Sequence, residues 1–102
     1  MSNYNSSPEV EEMLSKKFEG KLFVDISLCK IFGKSYSIIK DFYTVINGKV
    51  CCVNDGHQHF TDDTLLNVSK DCKQIGIYDP TKVYKRIIKD YNYSQFKKLH
   101  KL

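Results

Sequence analysis

The chain contains no alanine and a single arginine, Arg86, against fifteen lysines. Residues written with GC-rich codons are scarce, while Asn, Ile and Tyr are plentiful. Such a composition is expected of an A/T-rich genome, as in many viruses, phages and some parasites. No apolar run approaches the ~20 residues that cross a bilayer as a helix, so no membrane partner is expected. The opening MSNYNSSPEVEEM lacks the basic and apolar regions of a secretory signal, and a cytoplasmic location, host-cell cytoplasm if the protein is viral, is expected. There is no GxSxG, Walker A or GxGxxG pattern. A length of 102 residues is too short for a (β/α)₈ barrel or a doubly wound nucleotide-binding fold. These absences together predict one domain, no enzyme and no cofactor.

Four cysteines, Cys29, Cys51, Cys52 and Cys72, form no CxxC pair. In a reducing compartment such residues are small buried hydrophobes, with a disulfide or metal as the alternative. Cys51 and Cys52 are adjacent, so on a strand they point to opposite faces and at most one is expected to face the core.

What is present is strong punctuation. Residues 1–6 are polar and expected to be a disordered tail, with a single domain over 7–102. Ser7-Pro8 marks a helix start, and Val10, Met13, Leu14 and Phe18 share one helical face before Gly20. From Lys21 the period changes to two, with Leu22, Val24, Ile26 and Leu28 alternating with Phe23, Asp25, Ser27 and Cys29, which predicts a strand over 21–28. Further strands are predicted over 35–40, 43–46, 49–53, 57–60 and 73–78, with Asn47-Gly48 and Asn54-Asp55-Gly56 as turns. Thr61-Asp62-Asp63-Thr64 reads as the cap of a single helical turn. Asp79-Pro80 is predicted to open a helix over 80–91 carrying Val83, Tyr84, Ile87, Ile88 and Tyr91 on one face. Asn92 is expected to break it before a second helical segment over 94–102.

Charge is unevenly placed. Residues 1–20 carry a net of −2, residues 21–81 a net of zero and residues 82–102 a net of +6. Lys82, Lys85, Arg86, Lys89, Lys97 and Lys98 therefore form a candidate contact for phosphates, with Tyr93 and Phe96 as stacking partners. The scarcity of arginine argues for an acidic protein partner or a solvated lysine face instead. A second candidate is loose: Cys52, His57 and His59 could ligate zinc, although zinc ribbons carry two paired-ligand knuckles and this segment has one group. Asp55-Gly56-His57-Gln58-His59 resembles the D-G-H-x-H motif of metal-dependent amidohydrolases, but that motif belongs to a barrel the chain cannot build. Aromatics supply the third candidate. Phe42, Tyr43, Tyr78, Tyr91 and Tyr93 are predicted to present a partner-binding surface, because tyrosine gives interfaces large amphipathic area.

The segment from Gly33 to Leu66 resembles the SH3-like barrels common among small phage-encoded proteins. The likeness is carried by Gly33-Lys34-Ser35-Tyr36, Asp41-Phe42-Tyr43, Val50–Val53, Asn54-Asp55-Gly56 and the run from Phe60 to Leu65. It implies a half-open, mainly antiparallel barrel; with the helices read above, which depart from a minimal barrel, the expected fold is α+β, about five strands with an N-terminal helix and a C-terminal helical segment. It also implies a binding module with no shared catalytic residues. The expected role is a small interaction protein that binds and inhibits a host protein. The alternatives are a nucleic-acid-binding protein using the basic C-terminal helix and a small zinc-binding protein.

Overall fold

The computed structural model describes residues 4–99. Residues 1–3 of the expected tail and 100–102 of the expected second helical segment lie outside them. The fold is α+β, an open five-stranded antiparallel sheet with three helices. Elements run α1 (Pro8–Phe18), β1 (Lys21–Ile31), β2 (Lys34–Ile46), β3 (Lys49–Cys52), β4 (His59–Phe60), α2 (Leu65–Asp71), β5 (Lys73–Ile77) and α3 (Tyr84–Leu99). The strand order β4-β3-β2-β1-β5 leaves two edges, so the sheet is not closed.

Local chemistry explains the first half of the chain. Ser7 caps α1, its hydroxyl accepting from the Val10 N–H at 3.2 Å, with Pro8 at the first helical position. The Asn47-Gly48 turn takes φ of 51° and 74°, the positive values that suit the twist of paired strands. Glu19 locks that turn, its carboxylate accepting from the Asn47 and Gly48 N–H groups at 2.9 and 3.1 Å. Tyr4, within the expected tail, donates its N–H to Asn67 Oδ1 at 2.8 Å and its hydroxyl to Asp71 at 3.0 Å.

Three elements differ from the sequence expectation. The strands predicted over 35–40 and 43–46 are one, β2, because a bulge opposite Asp25/Ile26 absorbs the extra residue Lys40 and lets the ladder continue. The turn expected after Asp63 is the seven-residue α2. Thr64 caps it, and the Glu11 carboxylate of α1 accepts from the Leu65 and Leu66 N–H groups at 2.7 and 3.1 Å. The C-terminal helix starts at Tyr84 rather than at Pro80, because Asp79 spends its carboxylate on a turn, accepting from the Thr81 N–H and hydroxyl. Nor does Asn92 break that helix. It runs on to Leu99.

Two apolar clusters sandwich the sheet. Leu14 and Phe18 of α1 and Leu65 and Val68 of α2 pack on one face, against Phe23, Tyr43, Val45 and Val50. Tyr84 of α3 packs on the other against Leu22, Val24, Ile39 and Phe42, with Ile88 and Tyr91 partly buried beside them. Because both faces are covered, both adjacent cysteines point inward. Cys51 is fully buried on the α3 side, and Cys52 packs half-buried on the α1–α2 side. The expectation that at most one would face the core assumed a sheet with a solvated face.

Candidate interaction surface

The same double cover removes most of the predicted aromatic surface. Phe42 is 2% exposed, its ring centroid 4.9 Å from that of Tyr84. Tyr43 is 8% exposed and donates its hydroxyl to Asp41 Oδ2 at 3.2 Å. Burial and the neighbouring carboxylate hold its phenol far above the ordinary range. Phe42 and Tyr43 are therefore core residues and offer no contact to a partner, a correction to their assignment from sequence. Tyr78 is half-buried, its ring 6.3 Å from Tyr84 and its N–H donated to Gly20 O. Tyr91 is half-buried and its hydroxyl is hydrogen-bonded to Ser37 of β2. Only Tyr93, 59% exposed, stands in solvent.

The helix that carries Tyr93 is firmly seated. Lys85 donates its N–H to Asn54 O at 2.6 Å, and the Tyr84 hydroxyl accepts from the Asp79 N–H at 2.9 Å. Asn92 accepts from the Ile39 N–H at 2.7 Å and donates to Ile39 O at 3.0 Å, docking the helix against the margin of β2. With 3.6 residues per turn, this seating turns Arg86, Lys89, Tyr93 and Lys97 outward on one stripe. Asp90 lies beside it. All are exposed, as are Lys82 in the preceding loop and Lys85 and Lys98 on the flanks. Lys97 Nζ lies 4.8 Å from the Tyr93 ring centroid, a cation–π contact on the surface, and Phe96 beside it is 50% exposed. Among the described residues the cations of this helix make no ion pair. The pairs present, Lys16 with Glu12 and His59 with Asp55, lie elsewhere.

The zinc candidates do not converge. Cys52 and His59 are directly opposed across β3 and β4, yet His59 Nε2 is 2.8 Å from Asp55 Oδ2, and His57 meets His59 edge-on. Asp55 also accepts from the His57 N–H at 3.0 Å, and these bonds hold its carboxyl below the usual carboxylate range. No group of three or more His, Cys, Asp or Glu among the described residues could hold a metal ion. Cys52, His57 and His59, the loose zinc candidate of the sequence, are not gathered into a ligand set. These groups instead close the loop between β3 and β4.

Thiol chemistry points the same way. Burial, first among the causes, raises Cys51, Cys52 and Cys72, the last to about 12. A nucleophilic cysteine needs the opposite shift. A shallow depression along the outside of α1, lined by Glu9, Glu12, Met13, Lys16 and Lys17, contains no histidine or thiol. Among the described residues no helix is long and apolar enough to cross a membrane.

One exposed group has no signature in the sequence. Leu28, part of the period-two pattern of β1, is 80% exposed, and Phe32 at the β1–β2 turn is 90% exposed. Neither belongs to the apolar clusters that the helices cover on the two faces of the sheet. No family model, curated protein or solved structure matches the chain, so the surface is read on its own chemistry.

Proposed function

We propose that the chain is a small non-enzymatic interaction protein of phage or viral origin. It docks an acidic surface of a host cytoplasmic protein on the outer stripe of α3 and thereby modulates, by inhibition, what that protein does. The observation that carries this reading is the stripe of Arg86, Lys89, Tyr93 and Lys97, rich in cations that no ion pair within the described chain neutralises. A rigid helix face with an aromatic among cations suits a complementary acidic patch, which speeds encounter and sets orientation. The likeness of residues 33–66 to phage SH3-like modules agrees with a binding role, although the proposed contacts lie on the helix rather than the sheet.

The direct test is capture of host proteins by the wild type and by the triple variant R86E/K89E/K97E, at low and at high salt. Loss of one specific band in the variant, and its weakening with salt, is the expected result. Identical capture by both chains removes the proposal. A second reading rests on the exposed Tyr93 and Phe96, which could stack on bases. In that case the chain shifts DNA or RNA in a gel at low salt, and the triple variant flattens the salt dependence by roughly 0.7–0.9 log units of affinity per log unit of salt for each phosphate it no longer neutralises. The single arginine on the stripe favours the protein partner.

A further inference from the structure

The β1–β2 hairpin reaches past the rest of the sheet. β5 pairs with β1 only from Lys21 to Val24, whereas β1 and β2 stay paired out to Ile31 and Lys34. The turn at the far end, Phe32-Gly33, takes φ of 53° and 75°. Those values nearly repeat the 51° and 74° of Asn47-Gly48, so the chain builds the same two-residue turn twice. Asparagine tolerates the left-handed region because its short polar side chain bonds locally, while a bulky aromatic enters it at a steric cost. Phe32 recovers none of that cost within the fold. Its side chain is 90% exposed and belongs to neither apolar cluster. An aromatic held against its backbone preference and left in water calls for a contact made outside the chain.

The surroundings of this apex are basic. Lys30 and Lys34 stand two residues to either side of Phe32, about 7 Å back along the strands. Lys30 pairs with Ser35 and Lys34 with Ile31, so the two lysines fall on opposite faces of the hairpin. A third cation arrives from across the chain. α3 runs along β2 toward the turn, Tyr84 meeting Phe42 and Asn92 meeting Ile39. From Asn92 it continues to Leu99, about 10 Å further, which brings the exposed Lys98 to the same end of the molecule. No Asp or Glu occurs in residues 26–40 or 91–99, and the nearest along the chain are Asp25, Asp41 and Asp90. Among the described residues none of these three lysines is in an ion pair.

We propose that the Phe32 tip seats the protein on an anionic phospholipid surface. Phe32 and the adjoining exposed Ile31 enter the boundary between headgroups and acyl chains, while Lys30, Lys34 and Lys98 stay level with the lipid phosphates. The dimensions agree. Apolar groups of interfacial proteins sit about 5–10 Å into that boundary, and the lysines start about 7 Å behind the apex on long stems that reach back to the headgroups. Area decides against a protein groove. One phenylalanine buries about 150–250 Å², whereas a specific protein interface takes about 800 Å² from each partner. A fluid charged surface asks only for an inserted apolar group with cations around it. A contact of this kind needs no spanning helix. The tip is separate from Arg86 and Lys89 of the α3 stripe, so either proposal can fail alone.

Sedimentation with sucrose-loaded vesicles tests the seating, using equimolar phosphatidylglycerol and phosphatidylcholine against phosphatidylcholine alone. The wild-type chain is expected on the anionic vesicles only, with its partition falling as salt rises. Phe32→Asn installs the residue this turn prefers. That variant is expected to melt at or above the wild-type temperature, yet to lower the partition constant at least about tenfold through the lost apolar burial. K30Q/K34Q is expected to lower it about fivefold for each lysine removed. A wild-type chain that stays off anionic vesicles at low salt overturns the proposal. So does undiminished binding by Phe32→Asn, which would reduce the contact to charge attraction without insertion. A lower melting temperature for that variant would make Phe32 a residue of the fold and overturns it equally.

Discussion

Replacing Asn92 with alanine removes the two hydrogen bonds that tie α3 to the margin of β2. The Asn92 carboxamide reproduces a strand neighbour for Ile39, accepting from its N–H at 2.7 Å and donating to its C=O at 3.0 Å, in partly buried surroundings. A typical intramolecular hydrogen bond contributes about 0.5–1.5 kcal/mol net, so the pair is worth about 2 kcal/mol. Alanine recovers about 0.5–0.7 kcal/mol through its higher helix propensity. The expected loss is therefore about 1–2 kcal/mol, which lowers Tm by about 5–15 °C in a domain of this size. Asn92→Asp keeps an acceptor for the Ile39 N–H but sets a carboxylate oxygen against the Ile39 carbonyl oxygen. At pH 7 it is expected to cost at least as much as alanine. Urea titration with the midpoint followed by circular dichroism measures both. A loss below about 0.5 kcal/mol in both variants, smaller than a single net hydrogen bond, would show that the carboxamide does not hold the helix. Freeing the Ile39 N–H and C=O at the margin of β2 should also raise the tendency of N92A to aggregate.

Other consequences follow from burial. Phe42→Ala empties a core position that is 2% exposed, and a cost of about 3–5 kcal/mol is expected. That is a large part of the roughly 5–15 kcal/mol typical of a domain. A thermal melt coincident with the wild type would return Phe42 to the surface and reinstate it as a contact residue. The Cys72 thiol, raised from 9.0 to about 12 chiefly by burial and then by Asp25, is expected to resist iodoacetamide at pH 8 in the folded chain and to react once urea unfolds it, as mass mapping would report. Its neutral form is the one the fold favours. The stability it adds is complete below pH 9.0 and drains away as pH rises toward about 12, where the unfolded chain ionises first. Cys72→Ala should flatten that alkaline decline in part, since the raised phenol of Tyr43 adds its own loss above pH 10.0. An alkaline limb unchanged by the substitution contradicts the assignment.

Much of the local architecture is legible because it depends on neighbours in the chain. The Ser7-Pro8 start, the Asn47-Gly48 turn and the alternation of β1 are settled by steric preference, capping and periodicity over a few residues. The site was far less legible. Phe42 and Tyr43 carry the same pattern whether a strand face is solvated or covered, and only the arrival of Tyr84 from across the chain buries Phe42. Asn92 looks like a helix breaker because asparagine competes poorly for helix interior positions. The waiting N–H and C=O of Ile39, 53 residues away, reward keeping it in the helix.

By itself, then, the amino-acid sequence determined the α+β class, the two hairpin turns and a basic C-terminal helix, all consequences of short-range backbone and charge patterning. The tertiary structure alone decided which aromatics reach solvent, that both cysteines of the pair point into apolar layers, and which stretch of β1 remains unpaired. Those outcomes depend on where helices land and where a neighbouring strand stops. Burial and pairing are properties of residues distant in the chain, and a period-two or period-3.6 pattern records only that a face is apolar, not what comes to cover it.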